Sequence, residues 1–134
     1  MVKRIHELES TGVEQKNICI VARTHKLLDN YIAGLQRAGI KSFEIKANKT
    51  DDRSLGGVRI ATMHSRVKGL EFDHVFAVAV NKKVLPFGTR ADFEDDISLE
   101  EFRTGEKCLL YVALTRARKS ACVTCYGGLS ELIV

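Results

Sequence analysis

Apolar positions along the chain follow two rhythms, and each predicts a kind of element. Residues 17–22 (NICIVA) form a continuous apolar run, which suits a strand covered on both faces. Shorter or alternating runs at 42–45 (SFEI), 58–63 (VRIATM), 74–80 (HVFAVAV) and 121–126 (ACVTCY) read as further strands. Between the first two, Leu27, Leu28, Tyr31, Ile32 and Leu35 recur at helical spacing. Thr24 is the expected N-cap and Gly39 the stop, which predicts a helix over about 24–38. A second helix is predicted over about 106–119, with Leu109, Leu110, Val112, Ala113 and Leu114 facing a core. Residues 1–16 are polar and helix-prone, with Val2, Ile5 and Leu8 at helical spacing, and read as an N-terminal helical or linker segment before a domain at 17–134. The stretches 48–57 and 81–105 read as loops. The second holds the sole proline, Pro86, and an acidic patch of Asp92, Glu94, Asp95 and Asp96.

The order strand, helix, three strands, helix, strand predicts a three-layer α/β domain with a mostly parallel sheet. Ligands of such sheets sit beyond the C-terminal ends of the strands. Arg23, the segment from Thr62 to Glu71, and Ser130 with Glu131 follow predicted strands. Arg116 comes from a predicted helix rather than a strand end, so the pattern leaves open which edge it reaches.

Composition narrows the class. The 134 residues are 45% hydrophobic and 28% charged, which fits one folded domain and excludes a disordered chain. A net charge of +4 is compatible with a nucleic-acid or nucleotide partner. Cys19, Cys108, Cys122 and Cys125 lie in or beside apolar runs, with no second C-x-x-C and no nearby histidine pair. No metal site is expected, and reduced, mostly buried thiols of a cytoplasmic protein are. No apolar run reaches membrane-spanning length, and no signal peptide is read at the start.

The candidate chemistry is phosphate recognition. Arg116, Arg118 and Lys119 cluster behind the second helix. A guanidinium grips phosphate through its planar, always-charged fork; the plainer reading is a basic helix end that complements the helix dipole. Arg23 and Arg116 could bracket a triphosphate, Glu71 could accept from a ribose hydroxyl, and Gly69 would let backbone approach closely. The chain has no G-x-x-x-x-G-K-[ST] loop and no acidic pair suited to magnesium.

Two stretches carry a resemblance. Residues 58–72 (VRIATMHSRVKGLEF) are similar to motif V of the UvrD/Rep-type superfamily 1 helicases, and residues 106–118 (EKCLLYVALTRAR) to their motif VI. Residues 18–24 (ICIVART) resemble motif IV. The resemblance implies the second RecA-like motor domain, a P-loop-type fold lacking the Walker A loop, in an ATP-dependent DNA helicase. ATP would lie in the cleft against a first RecA-like domain that holds the Walker loop and Mg²⁺, and the pair would move along single-stranded DNA. By position, Arg116 would be the arginine finger, Arg23 a triphosphate contact and Glu71 the ribose contact. Gly69 and Tyr111 would support the site, and Thr62, His64, Ser65 and Arg66 would face DNA. The isolated chain would be inactive. The alternative is a non-catalytic nucleic-acid-binding or regulatory module on the same fold. Two departures stand out: three residues, Ser65 to Val67, separate His64 from K-G-L-E-F where the family has two, and a large insertion between motifs IV and V is absent.

Overall fold

In a computed structural model, residues 1–45, 51–63, 71–81, 95–125, 128–130 and 132 are described. Five strands pair in parallel: β1 (Ile18–Ala22), β2 (Ser42–Glu44), β3 (Val58–Thr62), β4 (Phe72–Ala77) and β5 (Ala117–Val123). Their order across the sheet is β2-β3-β1-β4-β5. The helices are α1 (Val2–Ser10), α2 (His25–Arg37) and α3 (Asp96–Leu114). The three-layer α/β architecture is the one the apolar rhythm predicts.

Alternation along the strands divides the core into two layers. Ile18, Ile20, Ile60 and Phe76 face α1 and α2, where Ile5, Leu8, Leu28 and Leu35 are buried. Cys19, Val21, Val75 and Ala77 face α3, where Leu110 and Ala113 are buried. Ile5 is 0% and Leu8 6% exposed. Burial of each contributes about 1.5–3 kcal/mol, so α1 is packed onto the domain as a docking helix rather than trailing from it.

The caps of α2 form as expected. The Thr24 side chain accepts from the Leu27 amide at 3.3 Å. At the other end Gly39 takes φ +74° while the Ile40 amide donates to the Leu35 carbonyl at 2.9 Å, closing a Schellman motif.

The C-terminal half departs from expectation. Helix α3 starts at Asp96, not near 106, because Asp95 caps it by accepting from the Ser98 amide at 2.6 Å. Gly105, just ahead of the expected start, lies inside the helix, at an ordinary cost of about 1 kcal/mol relative to alanine. The helix ends at Leu114, not Lys119. Thr115 and Arg116 form a turn, and Arg118 and Lys119 belong to β5, which therefore begins at Ala117 rather than 121. That strand is the sheet edge and is mostly exposed, not buried. The Cys108, Cys122 and Cys125 thiols are exposed; the Cys19 thiol is buried, which pushes its pKa up. Tyr111 is 68% and Val112 45% exposed, so neither packs on the core.

One network was not anticipated from the sequence. Arg59, in the middle of the sheet, is fully buried, and its Nε donates to Asp51 Oδ1 at 2.8 Å. Its Nη1 donates to the Gly57 carbonyl at 2.8 Å, and its Nη2 to the carbonyls of Asp52 at 2.9 Å and Leu55 at 2.7 Å. The guanidinium also stacks 4.8 Å from the Phe43 ring centroid. Arg53 completes the cluster, donating to the Lys16 carbonyl at 2.7 Å and to Asp51 Oδ2 at 3.3 Å. The loop before β3 is thus folded around a buried charge.

Removing one partner leaves the other charge uncompensated. Arg59→Met is expected to cost about 3–5 kcal/mol, read as a lower urea midpoint at constant m-value. Asp51→Asn combined with it should cost less than the two single changes added.

His74 gives a pH-dependent counterpart. Its ring Nδ1 lies 2.5 Å from Ser120 Oγ, and burial is the main cause that pushes its pKa below 6.5. Asp73 opposes that shift, while Lys119 and Arg4 add to it. The fold favours the neutral ring, so as pH falls through 6.5 the unfolded chain takes up the proton first. This contribution is complete above that pH and is lost below it. Urea midpoints compared between about pH 8 and about pH 5 should fall more steeply for the wild type than for His74→Gln.

Candidate functional site

In a parallel sheet, residues that precede strands collect at one edge and residues that follow strands at the other. The predicted site residues divide between these edges.

At the edge where strands begin, Glu71 stands immediately before β4 and Arg116 immediately before β5. The two strands are neighbours, with Phe72 in register with Ala117, and the Phe72 amide donates to the Arg116 carbonyl at 2.9 Å. Glu71 is exposed and Arg116 half-buried. Among the described residues no acceptor meets the buried Arg116 Nε. Its cationic neighbours are engaged elsewhere: Arg118 pairs with Asp73 Oδ1 at 3.0 Å, and Lys119 lies 3.9 Å from Asp73 Oδ2. The cluster seen in the sequence therefore resolves into one half-buried arginine and two exposed basic residues drawn to a carboxylate.

This edge is braced from behind. The Arg53 guanidinium lies 6.0 Å from the Phe72 ring centroid and donates to Asn17 Oδ1 at 2.5 Å. Arg53 and Asp51 are structural supports that the sequence pattern does not announce. The one available signal was a charged residue, Arg59, inside an otherwise apolar strand.

At the opposite edge, Thr62 ends β3 and is 8% exposed, in register with Ala22 at the end of β1. The Met63 amide donates to the Ala22 carbonyl at 2.9 Å. Arg23 follows directly. Its Nε donates to both carboxylate oxygens of Glu106, at 3.0 and 3.1 Å, and the two side chains are 11% and 3% exposed. His25 lies 3.2 Å from Glu44 beside them. Ser130, placed by the sequence near a strand end, is buried, and its amide donates to the Val80 carbonyl at 3.0 Å.

Arg23 and Arg116 are consequently not together. Val21 is level with Ala77 and Phe72 with Ala117, so Arg23 stands about eight residues along the strands from Glu71 and Arg116. At ~3.3 Å per residue that is roughly 25 Å, too far for two arginines to bracket one triphosphate. Glu71, grouped in the sequence with Thr62, also lies at the other edge, because it precedes β4 rather than ending β3. His64, Ser65, Arg66 and Gly69 lie outside the described residues, as does Glu131. Among the described residues no group of three His, Cys, Asp or Glu side chains could hold a metal ion, and no helix is long and apolar enough to cross a membrane.

The model of the UvrD-like helicase C-terminal domain family matches residues 43–127. YjcD of Bacillus subtilis (strain 168), which carries the name of an ATP-dependent DNA helicase, is 32% identical over 129 residues, covering 90% of this chain and 15% of YjcD. The ATP-dependent DNA helicase PcrA of Staphylococcus epidermidis (strain ATCC 12228) is 40% identical over 68 residues, 51% of this chain and 9% of PcrA. The chain thus spans a small part of these relatives. A helicase C-terminal domain from Lactobacillus plantarum WCFS1 superposes with a TM-score of 0.66 at 22% identity, covering 98% of this chain and 67% of that one, a likeness of fold. With matched residues that include both Glu71 and Arg116, the chain belongs to the UvrD-like helicase C-terminal domain family.

Proposed function

We propose that the chain acts as the second RecA-like motor domain of an ATP-dependent DNA helicase. It meets a first RecA-like domain across the edge where β4 and β5 begin, and single-stranded DNA across the edge where β1 and β3 end. The observation that carries this reading is the pairing of Glu71 and Arg116 at the heads of adjacent strands, with the buried Nε of Arg116 lacking an acceptor among the described residues.

The arrangement fits a nucleotide. A buried donor without a partner costs about 1–3 kcal/mol, and a phosphate oxygen would satisfy it. When bound, ATP supplies the phosphoryl group whose transfer to water drives the motor, with Mg²⁺ held by the first domain. Arg116 stabilises negative charge on that group as an arginine finger. Glu71 accepts from a ribose hydroxyl, and Gly69 allows close approach. Tyr111 and Val112, exposed on the last turn of α3 beside Arg116, give the first domain an apolar seat. At the other edge Thr62 contacts the DNA backbone, and the motif V resemblance gives His64, Ser65 and Arg66 the same role. Arg23 belongs with them rather than with the triphosphate, since it adjoins Thr62 and stands far from Arg116.

The test is ATP hydrolysis with single-stranded DNA, by the chain alone and with a first motor domain supplied in trans. The chain alone should not turn over; the pair should, and Arg116→Ala should lower that rate by ~10³-fold or more with DNA binding intact. Turnover by the chain alone that the substitution abolishes would overturn the division of labour. DNA binding without any rescue would point to the regulatory module instead.

DNA affinity should fall with salt. A plot of log K against log salt is expected to slope by about −0.7 for each phosphate contact. A flat plot would remove backbone contacts from the account.

A further inference from the structure

We infer that Glu106 is a positioning residue that couples the DNA edge of the domain to Arg116, acting through Arg23 and helix α3. The inference rests on the functional reading above and names a residue that reading does not use.

Helix α3 connects the two edges. The chain leaves β4 at the edge where β1 and β3 end, and enters β5 at the other, with α3 between. Glu106 lies eight residues before the last residue of α3, about 12 Å at ~1.5 Å per residue. Arg116 stands two residues beyond that end. A displacement of Glu106 along the helix axis is therefore carried to the base of Arg116 by a hydrogen-bonded rod.

What holds α3 in place makes Glu106 the point of leverage. Three of its residues are buried: Glu106, Leu110 and Ala113. Leucine and alanine packing favours burial but tolerates sliding by fractions of an ångström, because dispersion is non-directional. Two charge-assisted hydrogen bonds from one guanidinium nitrogen to one carboxylate fix an axial position. A buried ion pair adds little net stability over an apolar substitute, and its better-attested use is to specify register.

The other half of the pair stands where DNA would lie. Arg23 follows β1 directly, and Ala22 is in register with Thr62. A phosphate and a carboxylate present the same kind of bidentate acceptor to an arginine. DNA phosphate arriving at Thr62 draws on the guanidinium that Glu106 engages, and the balance between the two acceptors sets where α3 sits. Because coupling is reciprocal, occupancy at Arg116 alters the hold of Arg23 on DNA by the same factor.

The experiment uses this chain, a short oligothymidylate as the probe, and ¹H–¹⁵N spectra that include the arginine Nε–H signals. In the wild type, adding the probe should shift the Thr62 amide and also the Arg116 Nε–H and Phe72 amide. In Glu106→Gln, Thr62 should still respond while the Arg116 and Phe72 shifts fall by ~5-fold or more; Glu106→Asp, which keeps the charge, should retain part of them. Thermal melts show which variants are folded. Wild-type shifts confined to the Thr62 edge would overturn the coupling without any variant being needed, and so would full Arg116 shifts in folded Glu106→Gln. No response at Thr62 in the wild type would instead sink the DNA-edge reading, and this inference with it.

Discussion

Every strand of the sheet runs the same way, and this one constraint decides what each polar residue can do. The chain enters all five strands at one edge and leaves them at the other. Whether a residue precedes or follows a strand then determines which edge it serves, whatever its neighbours in sequence. Thr62 and Glu71 are nine positions apart in the chain, yet one ends β3 and the other introduces β4. Glu71 and Arg116 are separated by 45 positions but stand side by side, because β4 and β5 are paired. On the proposed function, the two edges divide the work between two kinds of ligand.

Such a division needs both edges to be stiff, and the molecule uses buried charge for that at each. At the edge where strands begin, Asp51 joins Arg59 and Arg53, and Arg53 in turn covers Phe72 behind Glu71. At the opposite edge, Arg23 and Glu106 join β1 to α3. Replacing such pairs with apolar side chains is often neutral or stabilising, so net stability is a poor account of their presence. They are directional, as an apolar contact is not. For the proposed placing of one guanidinium and one carboxylate, direction is what an ion pair adds.

How much was legible in the sequence follows from the range over which each feature is determined. Strand β1 and helix α2 are encoded locally, by an unbroken apolar run and by Thr24 and Gly39 at the helix ends, and both form where expected. Helix α3 was misjudged at both ends. The stretch before 106 reads as loop, from Pro86 and its acidic patch, unless the Asp95 cap is weighed, and the basic run after Leu114 reads as helix unless Asp73 is known to lie alongside. The motifs that hold Glu71 and Arg116 are readable because K-G-L-E-F and A-L-T-R-A are contiguous patterns. Their adjacency was not, since it depends on which strands pair. Burial of Arg59 had one sign, a charge inside an apolar strand, but not its partner, because Asp51 sits in a polar loop that gives no sign of folding inward.

The edge at Arg116 is the least complete part of the molecule. A buried Nε without an acceptor among the described residues, and a tyrosine and a valine exposed on the adjoining helical turn, occur within six residues of one another. An isolated domain gains nothing from either: an orphaned donor costs about 1–3 kcal/mol, and the exposed apolar area contributes no burial. Both become favourable if another surface closes over them, bringing an anionic acceptor and apolar area together. Arg59, which is fully buried, shows what this chain does with a guanidinium whose role is internal: its Nε and both Nη atoms find acceptors. The contrast between the two arginines is that Arg59 is satisfied within the fold, whereas the Arg116 Nε meets no acceptor among the described residues.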